Sequence, residues 1–137
     1  MFPQWINQIV DEVQTSHGFT LATLKLRTHK VEDYYRGFYR SGTNMIHLTF
    51  NNHHVRSDLA TWILLHELAH AIQYQTKRDT LTPRVPGKRR EVHNREFWKI
   101  AGKLYLKYGV MDLAIEQEYK TGRAQLMAMR RKHGSRV

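Results

Sequence analysis

Residues 57–75 read SDLATWILLHELAHAIQYQ, and this segment decides most of what the chain can become. As a helix it is apolar on nearly every side, so it belongs at the centre of the fold rather than on its surface. Ser57 can cap it, and Asp58 suits its positive end. Yet His66, Glu67 and His70 stand inside it. Burying two imidazoles and a carboxylate is costly unless they pair or bind an ion. The pattern His66-Glu67-Leu68-Ala69-His70 puts both histidines on one helical face. Both can therefore reach one ion at the roughly 2.0–2.1 Å of a zinc–nitrogen bond. Glu67 projects one position round, beside the ion and not onto it. Zinc lowers the pKa of a bound water toward about 7. A carboxylate so placed accepts the water's proton as a carbonyl carbon is attacked, and returns it to the leaving amine.

A catalytic zinc usually has three protein ligands and one open position. Downstream candidates are Glu91, His93 and Glu96. His93 stands just before a predicted helix, where a side chain can turn back onto the first, and zinc favours imidazole; Glu91 and Glu96 remain alternatives. The chain has no cysteine. That excludes thiolate ligands, zinc ribbons, iron–sulfur clusters and disulfides. His17, His29 and His133 fall in turns or the tail and read as solvated. His47, His53 and His54 either face the cleft and stabilise an oxyanion or are ordinary strand and surface residues.

The remaining chain reads as helices and short strands. Residues 3–16 carry apolar positions at helical spacing, with Pro3 at the entry and Gly18 at the exit. Residues 20–28 and 31–40 read as strands, the second rich in tyrosine around Gly37. Ser41-Gly42-Thr43-Asn44 is a turn cluster. Residues 45–50 alternate as a third strand, a hairpin partner of the second. A 17-residue basic stretch, 76–92, reads as a loop, and loops of that length are often functional. Asn94 can cap a helix over 95–108 that ends at Gly109. Residues 112–131 read as one last helix, weakened by Gly122. The expected fold is α+β: an N-terminal helix, a small three-stranded antiparallel or mixed sheet on the central helix, then two C-terminal helices. Its 137 residues suit a single domain, with a core at about 20–108 and a basic C-terminal helix and tail over 112–137.

The net charge is +10. It is concentrated: residues 76–90 carry +5 and residues 120–137 carry +6. Such blocks suit a phosphate-contacting surface, with Lys77, Arg78, Arg84, Lys88, Arg89, Arg90, Arg130, Arg131 and Lys132 as candidate contacts. No apolar run approaches the roughly 20 residues of a membrane span, and the start lacks the basic residues of a secretory signal. A cytoplasmic monomer is expected.

Through these residues the chain resembles the SprT-like zinc metallopeptidases. The resemblance covers about residues 20–108. It rests on YYRGFYRSGTNMIHLTFN, on TWILLHELAHAIQY, and on HNREFWKIAGKLY, which is similar to the family's H-G-x-x-F pattern. It implies a zincin-like fold, with Zn²⁺ on His66, His70 and His93 and Glu67 as general base. The implied activity is endopeptidase action on DNA-associated proteins, including DNA–protein crosslinks. Asn94 stands where the family often has glycine, and asparagine tolerates a left-handed backbone. Many relatives end in a four-cysteine zinc ribbon, which this sequence lacks. A minimal form, as a phage or mobile element encodes, fits the pattern. The third strand, 44–50, is expected to be the sheet edge along which substrate lies. The competing reading is a nucleic-acid-binding module with a structural or vestigial zinc site.

Overall fold

The computed structural model describes residues 3–51, 56–118 and 120–134. Over these residues the fold is α+β, with five α-helices and one three-stranded mixed sheet. In order these are α1 (Gln4–His17), β1 (Thr23–His29), β2 (Tyr35–Arg40), β3 (Met45–Asn51), α2 (Asp58–Thr76), α3 (Arg95–Lys107), α4 (Met111–Gln117) and α5 (Thr121–Gly134). A single 3₁₀ turn, Arg78–Thr80, interrupts the long basic loop. His53 and His54 lie outside the described residues. No helix among the described residues is long and apolar enough to cross a membrane.

The helix ends follow local chemistry. Ser57 Oγ accepts from Ala60 N at 3.1 Å and starts α2. Gly18, with φ 67°, stops α1. Asn94 caps α3 by accepting from Phe97 N at 3.1 Å. Its backbone is extended, with φ −84° and ψ −176°. The left-handed geometry expected there is therefore not used; the cap is what asparagine supplies.

The strand order is β1-β3-β2. β2 and β3 form the expected antiparallel hairpin, but β1 pairs parallel to β3. So β3 is the central strand, and the expectation that it forms the sheet edge is wrong. Its alternation explains why: Ile46, Leu48 and Phe50 are buried on one face, and both backbone edges are paired. β2 is the edge that faces the central helix and the cleft. α2 packs beneath β2 and β3, its Leu64, Leu65 and Leu68 joining one core with Ile6 and Ile9 of α1 and Phe97 and Leu104 of α3.

Gly37 lets β2 come down onto α2. A Cβ there would sit 2.9 Å from Ile63 Cγ2, 3.1 Å from Glu67 Cγ and 3.2 Å from Leu48 Cδ2. Gly37→Ala is therefore expected to destabilise the protein by about 1–3 kcal/mol, as overpacking does, in a denaturant melt.

The last stretch differs from the single helix expected over 112–131. α4 ends at Gln117, Glu118 is extended, and Lys120 takes a left-handed φ of 57°. Three helices thus follow α2, not two. Arg123 straps the break: its Nε donates to the carbonyls of Ile115 and Glu118 at 3.0 and 2.8 Å. Gly122 begins the new helix against a flat partner, since a Cβ there would lie 2.6 Å from the Trp98 indole. Leu126 of α5 is fully buried. Burial of such a side chain contributes roughly 1.5–3 kcal/mol, so α5 is part of the fold and not an appended tail.

Candidate metal centre

One turn of α2 separates His66 from His70, and the chain entering α3 brings His93 over both. His93 Nε2 lies 3.1 Å from His66 Nε2 and 3.2 Å from His70 Nε2. The three ligand nitrogens all lie within 4.8 Å of one another, close enough to bind one metal ion. Tetrahedral zinc would set its nitrogens about 3.3 Å apart, given bonds of roughly 2.05 Å. Among the described residues this is the one group of such side chains able to hold a metal. Glu91 and Glu96 are not in it. Glu91 Oε1 instead accepts from His93 N at 3.2 Å, and Glu96 lines a groove on the far side of α3.

Desolvation governs the electrostatics. Burial first, then the neighbouring histidines, holds His66 well below the ordinary imidazole value. Burial and then His93 bring His70 to about 3, and burial also lowers His93. All three are thus neutral, as metal ligands must be. Glu67 is 6% exposed, and burial raises it to about 8. A cation in the triad works against that rise by favouring the carboxylate.

These shifts set a pH dependence for the metal-free protein. Unfolded histidines near 6.5 bind protons that the folded ones refuse, so stability is lost as pH falls below 6.5. Folded Glu67 holds a proton that the unfolded chain releases near 4.5, so its contribution is lost as pH rises toward 8. Thermal melts of chelated protein are expected to peak close to neutrality. Glu67→Gln removes a loss that runs from about 4.5 to 8, so it should make the acid side steeper above 4.5 and the alkaline side flatter.

The second nitrogen of His66 is also engaged. Its Nδ1 lies 3.2 Å from the hydroxyl of Tyr105, which is fully buried. Glu118 Oε1 lies 3.8 Å from the same nitrogen. With a metal on Nε2, Nδ1 would carry the proton and donate it to the Tyr105 hydroxyl, with the Glu118 carboxylate just beyond hydrogen-bond reach. That fixes the ring's tautomer and raises its basicity. The break after α4 is what turns Glu118 back over His66. Glu118→Gln is expected to weaken metal binding by about 10- to 100-fold, measured by competition with a chromogenic chelator.

The triad opens into a cleft of about 360 Å³. Glu67 lines it beside the ligands, β2 supplies Gly37, Phe38 and Tyr39, and the basic loop supplies Thr82 and Arg90. His47 is not in the cleft; it lies on the opposite sheet face, edge-on to Phe38 at 4.8 Å. A polar network missed in the sequence fixes the opening. Buried Gln73 Nε2 donates to Asn94 Oδ1 at 3.0 Å, and Asn94 Nδ2 donates to Thr80 O at 3.0 Å and Thr82 Oγ1 at 3.1 Å. It ties α2, the loop and the residue after His93 together.

The structure disperses the candidate phosphate contacts. Lys77, Arg78, Arg84, Lys88 and Arg89 are exposed along the loop, while Arg90 is half-buried and donates to Thr82 O at 2.8 Å. Arg78 lies over the Tyr74 ring at 4.2 Å. On α5, Arg130 pairs with Asp112 at 2.9 Å, and Arg131 and Lys132 are exposed. Lys132 shares a groove between α3 and α5 with Arg95, Lys99 and Lys103, none of which the charge blocks had singled out.

No family model, curated protein or solved structure matches this chain.

Proposed function

We propose that the protein is a zinc-dependent endopeptidase of the SprT-like, zincin-like kind, acting on DNA-associated proteins. One observation carries this reading: Glu67 lines the same cleft as the three converging histidines. A purely structural zinc site has no use for a second carboxylate that lines an open cleft beside the ligands. Nor is it usually open to a substrate-sized cleft.

In this reading His66, His70 and His93 would hold the ion. A zinc ion held there would supply Lewis-acid chemistry, able to polarise a scissile carbonyl and acidify a water. Glu67 takes the water's proton and delivers it to the departing amine. Tyr105 and Glu118 keep His66 oriented. The peptide lies along the free edge of β2, where unpaired backbone groups can accept an added strand. The net charge of +10 draws the enzyme to polyanions, and with them to bound proteins.

The test is cleavage of a DNA-bound protein by the purified chain. Cleavage should stop with a chelator and return with added zinc. It should weaken when salt or competitor DNA strips the substrate away. A chain that holds zinc yet cleaves no protein substrate would instead favour a nucleic-acid-binding module.

A further inference from the structure

The sheet has one covered face and one open face. Ile46, Leu48 and Phe50 of β3 point toward α1 and α2. On the other face the register aligns Lys25 with His47 and Arg27 with Thr49 from β1 to β3. It then aligns His47 with Phe38, Thr49 with Arg36 and Met45 with Arg40 from β3 to β2. Lys25, Arg27, Arg36 and Arg40 are all exposed. None of the four has an ion-pair partner among the described residues. The three strands contain no aspartate or glutamate. The nearest acids in sequence, Glu32 and Asp33, sit in the β1–β2 connection at one end.

Aromatic rings lie among these cations. Phe38 is 43% exposed and stands edge-on to His47. Arg40 lies 5.4 Å from the Phe38 ring centre. Tyr34 stacks on His29 at 3.8 Å, with Arg36 5.2 Å from its centre. A seven-residue strand extends about 23 Å, and three strands span about 10 Å between outer backbones, enough for a short run of nucleotides.

We infer that this open face binds single-stranded nucleic acid, with phosphates on Lys25, Arg27, Arg36 and Arg40 and bases against Phe38 and the Tyr34–His29 pair. The absence of acids gives the face charge complementarity to a phosphate backbone. The exposed Phe38 ring, with the half-buried Tyr34–His29 pair beside it, selects the single strand, because duplex bases are already stacked on one another and cannot reach such rings. β2 carries Phe38 on this face and lines the cleft with Gly37 and Tyr39. A strand held here therefore runs beside the metal centre. The inference extends the proposed reading by naming the form of nucleic acid and its place. It is tested by binding alone, so its failure is separate from failure of the peptidase reading.

The experiment uses the full chain carrying Glu67→Gln and fluorescence anisotropy. Probes are a labelled oligothymidylate of about 16 nucleotides and the corresponding duplex. The oligothymidylate is expected to bind more tightly than the duplex. Phe38→Ala should weaken it by about tenfold. Arg36→Gln with Arg40→Gln should reduce the slope of log K against log salt by about 1.4. Lys99→Gln with Lys103→Gln, in the α3–α5 groove, should bind as the parent does. If Phe38→Ala fails to melt cooperatively, the arginine pair carries the test. Parental binding by the arginine pair would overturn the inference. So would loss confined to the α3–α5 variant, or equal competition by a polyglutamate peptide.

Discussion

Glu67→Gln is expected to lower proteolytic turnover by about 10²- to 10⁴-fold while metal content and the melting of the metal-loaded protein hold. The substitution keeps the side chain's size, so the close packing against Gly37 survives. It removes the buried carboxylate that lines the cleft beside the three histidines, and with it a group able to take a proton from water and return it to an amine. The amide is also neutral at every pH, which suits a site where burial alone raises the carboxyl to about 8. Loss of turnover with the metal retained would separate proton transfer from metal binding. Turnover equal to the parent would remove Glu67 from the chemistry.

His93→Ala should have an equally large effect on a different quantity. His93 Nε2 is the nitrogen within 3.1 and 3.2 Å of the other two, so it closes the site. Removing an outer partner of a ligand costs about 10- to 100-fold in metal affinity, and removing a ligand should cost more. Metal analysis after dialysis is the measurement. Full retention of metal would transfer the third position to another side chain, with Glu91 the nearest in sequence. The two variants make opposite demands: Glu67→Gln keeps the metal and loses turnover, whereas His93→Ala loses both.

Much of this site was legible because it obeys local rules. The four-residue spacing of His66 and His70 needs only a helix. Ser57 and Asn94 announce their caps in the sequence. His93 was within reach because it directly precedes a capped helix.

What was not legible depends on distant contacts. Glu118 lay in a helical pattern that ran through it. The break there is set by Gly122 against Trp98 and by Arg123 bonding back to carbonyls. Tyr105 is a buried residue of the helix expected over 95–108, and nothing in that helical pattern shows that its hydroxyl meets His66. The strand order could not be read because alternation marks a strand without choosing its neighbours. The parallel pairing of β1 with β3 placed β3 in the middle and gave the edge to β2. In the sequence Gly37 only marks the middle of a strand. Its role is contact distance, which appears only once α2 is beneath it.

The break between α4 and α5 bears on how the positive charge can be examined. The C-terminal residues look expendable in the sequence, and deleting them would be the simplest way to remove six positive charges. Deletion from residue 118 onward would also take the carboxylate that faces His66 and the Leu126 side chain sealed in the core. A truncated chain would therefore lose metal affinity, stability and charge together, and its failure would report on all three. Charge at this end has to be erased one side chain at a time, with the backbone left whole.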